Sequence, residues 1–334
     1  MAGEFMGMKP FGLTNRMVQL VSSISAKVAR IEVAFSYNSW SRLCKINRIR
    51  SIHSSLRIEA NSLSLGQVKD VIDGKLVLGE RREVQEVKNA YAAYEELGHF
   101  DPFAIDELKR LHGVMTKYLI DESGMFRRGE GGVFSGDTCI FMAPPAKFVP
   151  QQMASLFHWL NASRETVHPL IASAVFHYEF VFIHPFSDGN GRMARLWHTA
   201  LLSSWNPIFE YLPLESQIEK FQDAYYEAIA TCHRQGSSTT FIEFMLEQID
   251  QTLDEISTDI QEDDTEYPET IKKLLAAMEM NASYTRKELM DKIGLSSRAN
   301  FSKNYLTPAL EKHVIEMTIP DKPNSRNQKY RRTK

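Results

Sequence analysis

The stretch whose reading decides the fold is Ile183-His184-Pro185-Phe186-Ser187-Asp188-Gly189-Asn190-Gly191-Arg192-Met193-Ala194-Arg195. Within and beyond it, Met193, Leu196, Trp197, Ala200 and Leu201 recur at helical spacing, an apolar stripe that predicts a helix from about Asn190 to Trp205. Arg192 and Arg195 fall together on the side opposite that stripe, in the first turn. Positive side chains are unfavourable there, because the macrodipole already places positive potential at a helix N-terminus. Two arginines at that point make sense when an anion belongs there. Gly189-Asn190-Gly191, just ahead, lets the backbone approach such an anion with no Cβ in the way and turns free helix donors toward it.

A triphosphate suits donors of this kind joined to two guanidinium forks. Asp188 stands where a carboxylate can hold Mg²⁺ against phosphate oxygens, since magnesium usually takes one or two protein carboxylates plus phosphates and water. His184, pinned by Pro185, is a candidate general base. Taken singly, a histidine before proline is a loop residue and Asp-Gly-Asn-Gly is a turn. The joint occurrence within twelve residues reverses that reading. A competing pattern is present, because Gly189 to Ala194 satisfies G-x-G-x-x-A and Glu210 lies about twenty residues on, as a dinucleotide fingerprint requires. That fingerprint needs a strand on each side. Residues 169–183 read as helix and Pro207 interrupts the second strand, so the dinucleotide reading is set aside.

Outward from the loop the pattern stays helical. Val84, Val87, Ala90, Tyr91 and Tyr94 form one helical face, and Ile105, Leu108, Leu111, Met115 and Leu119 another, with Gly98 to Pro102 between them. Residues 121–150 break the pattern. They are rich in glycine, then β-prone, then close on Pro144-Pro145, which predicts an exposed hairpin with Val133-Phe134 and Cys139-Ile140-Phe141 as its strands. Residues 250–269 carry nine acids and no Lys or Arg, a charged helix end or linker. Residues 270–334 then read as three helices followed by two short strands, the plan of a winged helix.

The 334 residues, 43% hydrophobic and 24% charged, describe a globular chain. The net charge of −3 argues against a general polyanion binder, yet residues 281–334 hold twelve Lys/Arg against five Asp/Glu, a local +7 on a body of −10. Cys44, Cys139 and Cys232 offer neither a metal spacing nor a complete disulfide set, which suits a reducing compartment. No apolar run approaches the roughly 18 residues of a membrane helix. The N-terminal residues 1–30 read as a poorly defined lead without a secretory signal, and the chain is expected to be cytoplasmic.

The string HPFSDGNGRMAR matches the signature of Fic-domain proteins, H-P-F-x-[D/E]-G-N-G-R-x-x-R, at every defined position. Tyr178, Phe180 and Ile183 before it, the glycine-rich segment ending in Pro144-Pro145, and Tyr225-Tyr226 after it are similar to the family pattern. The resemblance covers about residues 31–250 and implies an all-α fold with one β-hairpin flap, about 131–145. It implies an enzyme that moves AMP from ATP to a Ser, Thr or Tyr hydroxyl of a protein, this chain itself included. His184 would then deprotonate the hydroxyl and Asp188 would bind Mg²⁺. Asn190 with the Gly189 and Gly191 amides would grip the α-phosphate region, Arg192 would steady the phosphates, and Arg195 would hold the γ-phosphate. Phe186 would anchor the loop in the core. The flap residues Gly131, Gly132, Val133, Phe134, Cys139, Ile140 and Phe141 would dock the target by strand addition.

Ser54-Ser55-Leu56-Arg57-Ile58-Glu59-Ala60-Asn61 places Ser55 and Glu59 at i and i+4 on a predicted helix, about 52–62. The segment is similar to the family's inhibitory motif [S/T]-x-x-x-E-[G/N], with Ala60 departing at the last position. The resemblance implies that Glu59 pairs with Arg195 and so denies it to the γ-phosphate. In some relatives the same glutamate positions water to remove AMP from a target, so a de-AMPylase is an alternative. The C-terminal unit resembles winged-helix modules attached to Fic proteins, chiefly through MTIPDKPNS and QKYR. Its Lys322, Arg326, Lys329, Arg331 and Arg332 are candidates for phosphate contacts to DNA. A DNA-binding regulator whose Fic core senses nucleotide is the rival reading, and a packing or homodimer role for this unit is another.

Overall fold

The computed structural model describes residues 11–34, 37–135, 138–266, 268–279, 282–312, 314–319, 325 and 328–333, with backbone alone at 33–34, 37–43, 133–135, 138–140 and 258–266. The chain divides into two units, one of residues 1–34 and 43–254, the other of 35–42 and 255–334. In chain order the elements up to the acidic stretch are α1 (Asn15–Ala34), α2 (Tyr37–Ile58), α3 (Leu65–Ile72), α4 (Arg81–Glu95), α5 (Ile105–Met115), β1 (Gly132–Ser135), β2 (Thr138–Met142), α6 (Val149–Ala162), α7 (Pro169–Ile183), α8 (Asn190–Trp205), α9 (Leu214–Lys220), α10 (Gln222–Gln235) and α11 (Thr239–Glu266). The first unit is all-α with one antiparallel hairpin, β1 against β2.

Helix α7 is apolar on all sides, and a helix of that composition belongs in the interior. Pro169 starts it, and the His168 ring accepts from the Leu170 N–H at 3.2 Å as N-cap. It packs against α8, whose residues 192–202 are all buried. The single apolar stripe expected for α8 is therefore corrected: this is a central helix, and its arginines lie inside the protein. The core around the pair holds Phe176, Phe180, Phe186, Met193 and Trp197, closed by Leu108 and Leu111 of α5 and Met153 and Leu156 of α6. Helix α1 is tied to α11 by ion pairs of Arg16 with Glu247 at 2.8 Å and Lys27 with Asp254 at 2.7 Å.

The second unit has its own core of Ile271, Leu274, Leu289, Ile293, Phe301 and Tyr330. Its described elements are α12 (Glu269–Ala276), β3 (Ser283–Tyr284), α13 (Arg286–Ile293), α14 (Arg298–Phe301), a π-helical turn (Ser302–Leu306), α15 (Thr307–Glu311), β4 (Ile315–Met317) and β5 (Tyr330–Arg332). The strands form one antiparallel sheet in the order β3-β5-β4. A capping box joins Thr285 and Glu288 at the start of α13, and Gly294 ends that helix at φ +72°.

Candidate active site

The loop between α7 and α8 is framed by two left-handed residues, His184 at φ +51° and Gly189 at φ +82°. Glycine is required at the second, because a Cβ there would also lie 3.0 Å from Thr116 Cγ2. Inside the loop, Asn190 accepts from the Phe186 N–H at 2.9 Å and donates to the Phe186 carbonyl at 2.8 Å. Its side chain thus braces the turn. Phe186 is fully buried and stacks on His112 of α5, ring centroids 3.6 Å apart. The Gly124 N–H donates to His112 Nδ1 at 2.9 Å, which leaves Nε2 as the donor to the Asp188 carbonyl at 3.0 Å. Burial pushes the His112 pKa down to about 4, so it fixes the loop as a neutral ring.

Two arginine sites follow. Arg195 is fully enclosed, with Nε donating to Ser55 Oγ at 3.1 Å and Nη2 to the Ser55 carbonyl at 2.9 Å and to Glu59 Oε1 at 2.7 Å. Burial, the largest single influence, lowers the pKa of this guanidinium, but Glu59 together with Tyr225 and Tyr94 outweighs it and raises the value overall. Ser55 lies in the last turn of α2, and Glu59 follows the helix end, its N–H closing back on the Leu56 carbonyl at 3.0 Å. Arg192 serves a different acid. It donates to Asp188 Oδ1 at 2.9 Å and lies 3.8 Å from Glu86 of α4. The other Asp188 oxygen accepts from Arg82 Nη2 at 2.9 Å. Burial works to raise the Asp188 pKa, but Arg192, the Gly189 N–H and Arg82 together bring it below the usual carboxylate value.

A cavity of about 590 Å³ opens over this arrangement. Glu59, His184, Asn190, Gly191 and Arg195 line its polar side. Phe141 of the flap and Tyr225, Tyr226, Ile229 and His233 of α10 line the other, with Phe141 and His233 stacked at 4.2 Å. That volume and mix suit a nucleotide-sized ligand.

Residues 102–202 match the Fic/DOC family, and residues 269–333 match the C-terminal domain of Filamentation induced by cAMP protein Fic-like. A solved Fic family protein from Desulfovibrio desulfuricans G20 is 42% identical, with a TM-score of 0.72, and the match covers 98% of each chain. The chain belongs to the Fic family. The Fic protein is also similar to the protein adenylyltransferase fic-1 of Caenorhabditis elegans, 26% identical over 78% of this chain and 56% of that protein. It resembles the protein adenylyltransferase Fic of Nematostella vectensis as well, 28% identical over 64% of this chain and 49% of that one. The chain thus spans about half the length of these curated relatives. A solved Fic-1 (aa134 - 508) from C. elegans shares the fold at a TM-score of 0.62 and 21% identity.

In this Fic protein the loop residues named from the sequence converge, and Ser55 and Glu59 arrive beside them from 136 to 140 positions away. Asp188 and Arg192 stand outside the cavity lining, in the cluster with Glu86 and Arg82. The sequence reading missed Arg82, Glu86, His112 and Arg127. Only their charge inside or beside core-facing helix patterns signals them. Burial is the first cause that lowers the His184 pKa, and Arg127 adds to it, while the Val181 carbonyl, Glu59 and Asp188 pull the other way. The ring is therefore unprotonated at neutral pH. Of the flap candidates, Gly131, Gly132 and Phe141 have described surroundings, while the side chains of Val133, Phe134, Cys139 and Ile140 lie outside the described set.

In the C-terminal unit Lys322 and Arg326 lie outside the described residues. Lys329 is exposed, Arg331 pairs across the sheet with Glu316, and Arg332 donates to the Leu275 carbonyl at 2.9 Å. Among the described helices none is long and apolar enough to cross a membrane.

Proposed function

We propose that this protein transfers AMP from ATP to a hydroxyl of a protein, itself included, and that Glu59 holds the reaction off by occupying Arg195. One observation carries the reading: Arg195 is gripped by Glu59 at 2.7 Å inside the cavity that also holds His184. The names of the C. elegans and N. vectensis relatives, both protein adenylyltransferases, support it.

In the forward direction His184, neutral and beside the flap, accepts the proton of the target hydroxyl. The hydroxyl oxygen bonds to the α-phosphorus in line, the α–β bridging bond breaks, and pyrophosphate leaves with that electron pair. Arg195 takes the terminal phosphate once Glu59 withdraws, and Arg192 takes an inner one. Both are preorganised in a buried setting, where their charge acts strongly. The free edges of the flap hairpin offer main-chain groups to an extended target segment, which makes docking tolerant of target sequence. Among the described residues no group of three His, Cys, Asp or Glu side chains converges to hold a metal by itself. A single carboxylate fits a cation that arrives with its phosphates, so Asp188 would hold Mg²⁺. When bound, that ion neutralises charge on the phosphates.

Helices α12 and α13, the continuous helical stretch 298–311 and the three-stranded sheet of the C-terminal unit support a winged helix. Its DNA-binding role rests on Lys329 and on residues beyond the described set, since Arg331 and Arg332 are engaged within the unit. A salt-dependent DNA shift would support that role, and a salt-independent or absent one a packing role.

Label transfer from α-labelled and γ-labelled ATP tests the main reading with wild type, Glu59→Gly and Glu59→Gly/His184→Ala. The expected result is transfer of the α-label alone, weak in wild type, strong in Glu59→Gly and lost with His184→Ala. Equal transfer by all three overturns the mechanism. Release of AMP from a labelled target by wild type but not by Glu59→Gly would mark a de-AMPylase instead.

A further inference from the structure

We infer that Arg127 is a positioning residue, whose guanidinium fixes the turn carrying His184 and ties that turn to both ends of the flap. Arg127 lies between α5 and β1 and is buried. Its Nε donates to the His184 carbonyl at 2.7 Å, Nη1 to the Gly129 carbonyl at 2.9 Å and Nη2 to the Pro144 carbonyl at 2.5 Å. Its own N–H donates to the Pro185 carbonyl at 2.9 Å. The side chain thus joins residues 129 and 144, which flank the hairpin, to residue 184 of the active-site loop, and the Arg127 backbone adds residue 185.

Every one of these acceptors is a main-chain carbonyl. A buried guanidinium whose hydrogen bonds all go to carbonyls, with Glu130 acting on it only through space, is an expensive way to fill space, and an apolar side chain would do that better. What the fork supplies is direction, three fixed donors aimed at three separate segments. His184 needs such a restraint. Its left-handed backbone is a conformation that is unfavourable for a non-glycine residue and persists only when its surroundings hold it. The flap is shaped to the fork as well: a Cβ on Gly131 would lie 3.0 Å from Arg127 Nε and 3.1 Å from Cδ. The placement of the docking hairpin and that of the base are thereby one arrangement.

The catalytic consequence rests on the proposed role of His184, whereas the structural coupling does not, and the experiment separates the two. The full chain is prepared as wild type, Arg127→Met and Arg127→Lys, each alone and with Glu59→Gly. Three quantities are read: the His184 titration by NMR of ¹⁵N-labelled imidazoles, amide exchange over residues 129–145, and transfer rates. Arg127, Glu59 and Asp188 face His184, with Arg195, His233 and Arg234 around the same cavity, so loss of the Arg127 charge moves its pKa upward. In Arg127→Met the expected results are an upward shift of the His184 titration, flap exchange faster by about tenfold, and kcat lower by about 100-fold with KM for ATP little changed. Arg127→Lys keeps the charge but not the fork, so its titration stays near wild type while flap exchange rises and kcat falls part-way. If Arg127→Met is too unstable to purify, Arg127→Lys decides by flap exchange. Folded variants with wild-type His184 titration and wild-type flap exchange would overturn the inference. Absence of transfer in Glu59→Gly itself counts against adenylylation, and the titration and exchange still decide Arg127.

Discussion

Gly191 leaves the space that Glu59 fills: a Cβ on Gly191 would lie 2.2 Å from Glu59 Oε1. The glycine proposed to let a phosphate approach the start of α8 therefore also seats the carboxylate that would exclude it. In the proposed mechanism two anions, one from the chain and one from a nucleotide, would compete for the same surface of backbone and the same guanidinium. Arg195 stays oriented in either state, because Ser55 holds its Nε and Nη2 from behind.

Removing Glu59 leaves a buried cation without its acid. Glu59→Gly is expected to lower the stability of the nucleotide-free protein, by less than the roughly 3–5 kcal/mol of a fully buried pair, since the Glu59 side chain is 36% exposed. Urea unfolding of wild type and variant measures this. Equal stability would mean that the pair carries no net stabilising interaction.

Ala60, directly after the brake, sits at φ +66°. This explains in physical terms why the inhibitory motif favours glycine or asparagine there, and what the departure to alanine costs. Ala60→Gly is expected to stabilise the first unit by about 1 kcal/mol. The midpoint of chemical denaturation reads it, and an unchanged or lower midpoint would count against strain at this turn.

Much of the site was legible because it is local. The turn, the helix start and the paired arginines lie within thirteen residues, where spacing and dipole arguments apply directly. The sequence reading names Glu59 as the partner of Arg195 but does not foresee the pairing of Arg192 with Asp188. Three residues apart they diverge by about 60° around the helix axis, which in a buried helix is enough to address different acids. Arg82, His112 and Arg127 were not legible, because their partners are main-chain carbonyls or residues far along the chain, and no periodicity encodes either. In the fold, α7 was legible as a helix over 169–183, but an interior helix has no polar face to show how it is oriented. Strand β3, two residues long, is too short for alternation to reveal.

Arg82 occupies one oxygen of the carboxylate proposed for Mg²⁺, and Glu86, 3.5 Å from its Nε, gives it an alternative partner. Arg82→Ala is expected to strengthen Mn²⁺ binding in the presence of ATP by several-fold, measured by electron paramagnetic resonance. It should equally lower the Mg²⁺ concentration that Glu59→Gly needs for half-maximal transfer. Weaker cation binding in the variant would show instead that Arg82 helps to hold the nucleotide complex together.

Acid should destabilise the protein well before carboxylates are protonated. Burial lowers the pKa of His112 and of His198 to about 4, and that of His177 well below the usual value. Between pH 6.5 and 4 the unfolded chain binds protons at these three sites and the folded chain does not, so stability falls as pH falls through that window. Glu179, raised by burial to about 7, acts in the opposite direction, its contribution present below about 4.5 and lost as pH rises toward 7. Three histidines outweigh one glutamate. Unfolding free energies at pH 7 and pH 5 should show a clear loss at pH 5, and a gain there would contradict the assignment of neutral buried rings.

The competition itself is tested most directly by calorimetric titration of ATP and ADP into wild type, Glu59→Gly, Arg195→Gln and the double variant. The account predicts that Glu59→Gly increases the preference for ATP over ADP by about tenfold, the scale of one charge-assisted contact to the terminal phosphate, and that Arg195→Gln abolishes this gain. An ATP preference that is unchanged by Glu59→Gly, or that rises equally with Arg195 absent, would contradict it.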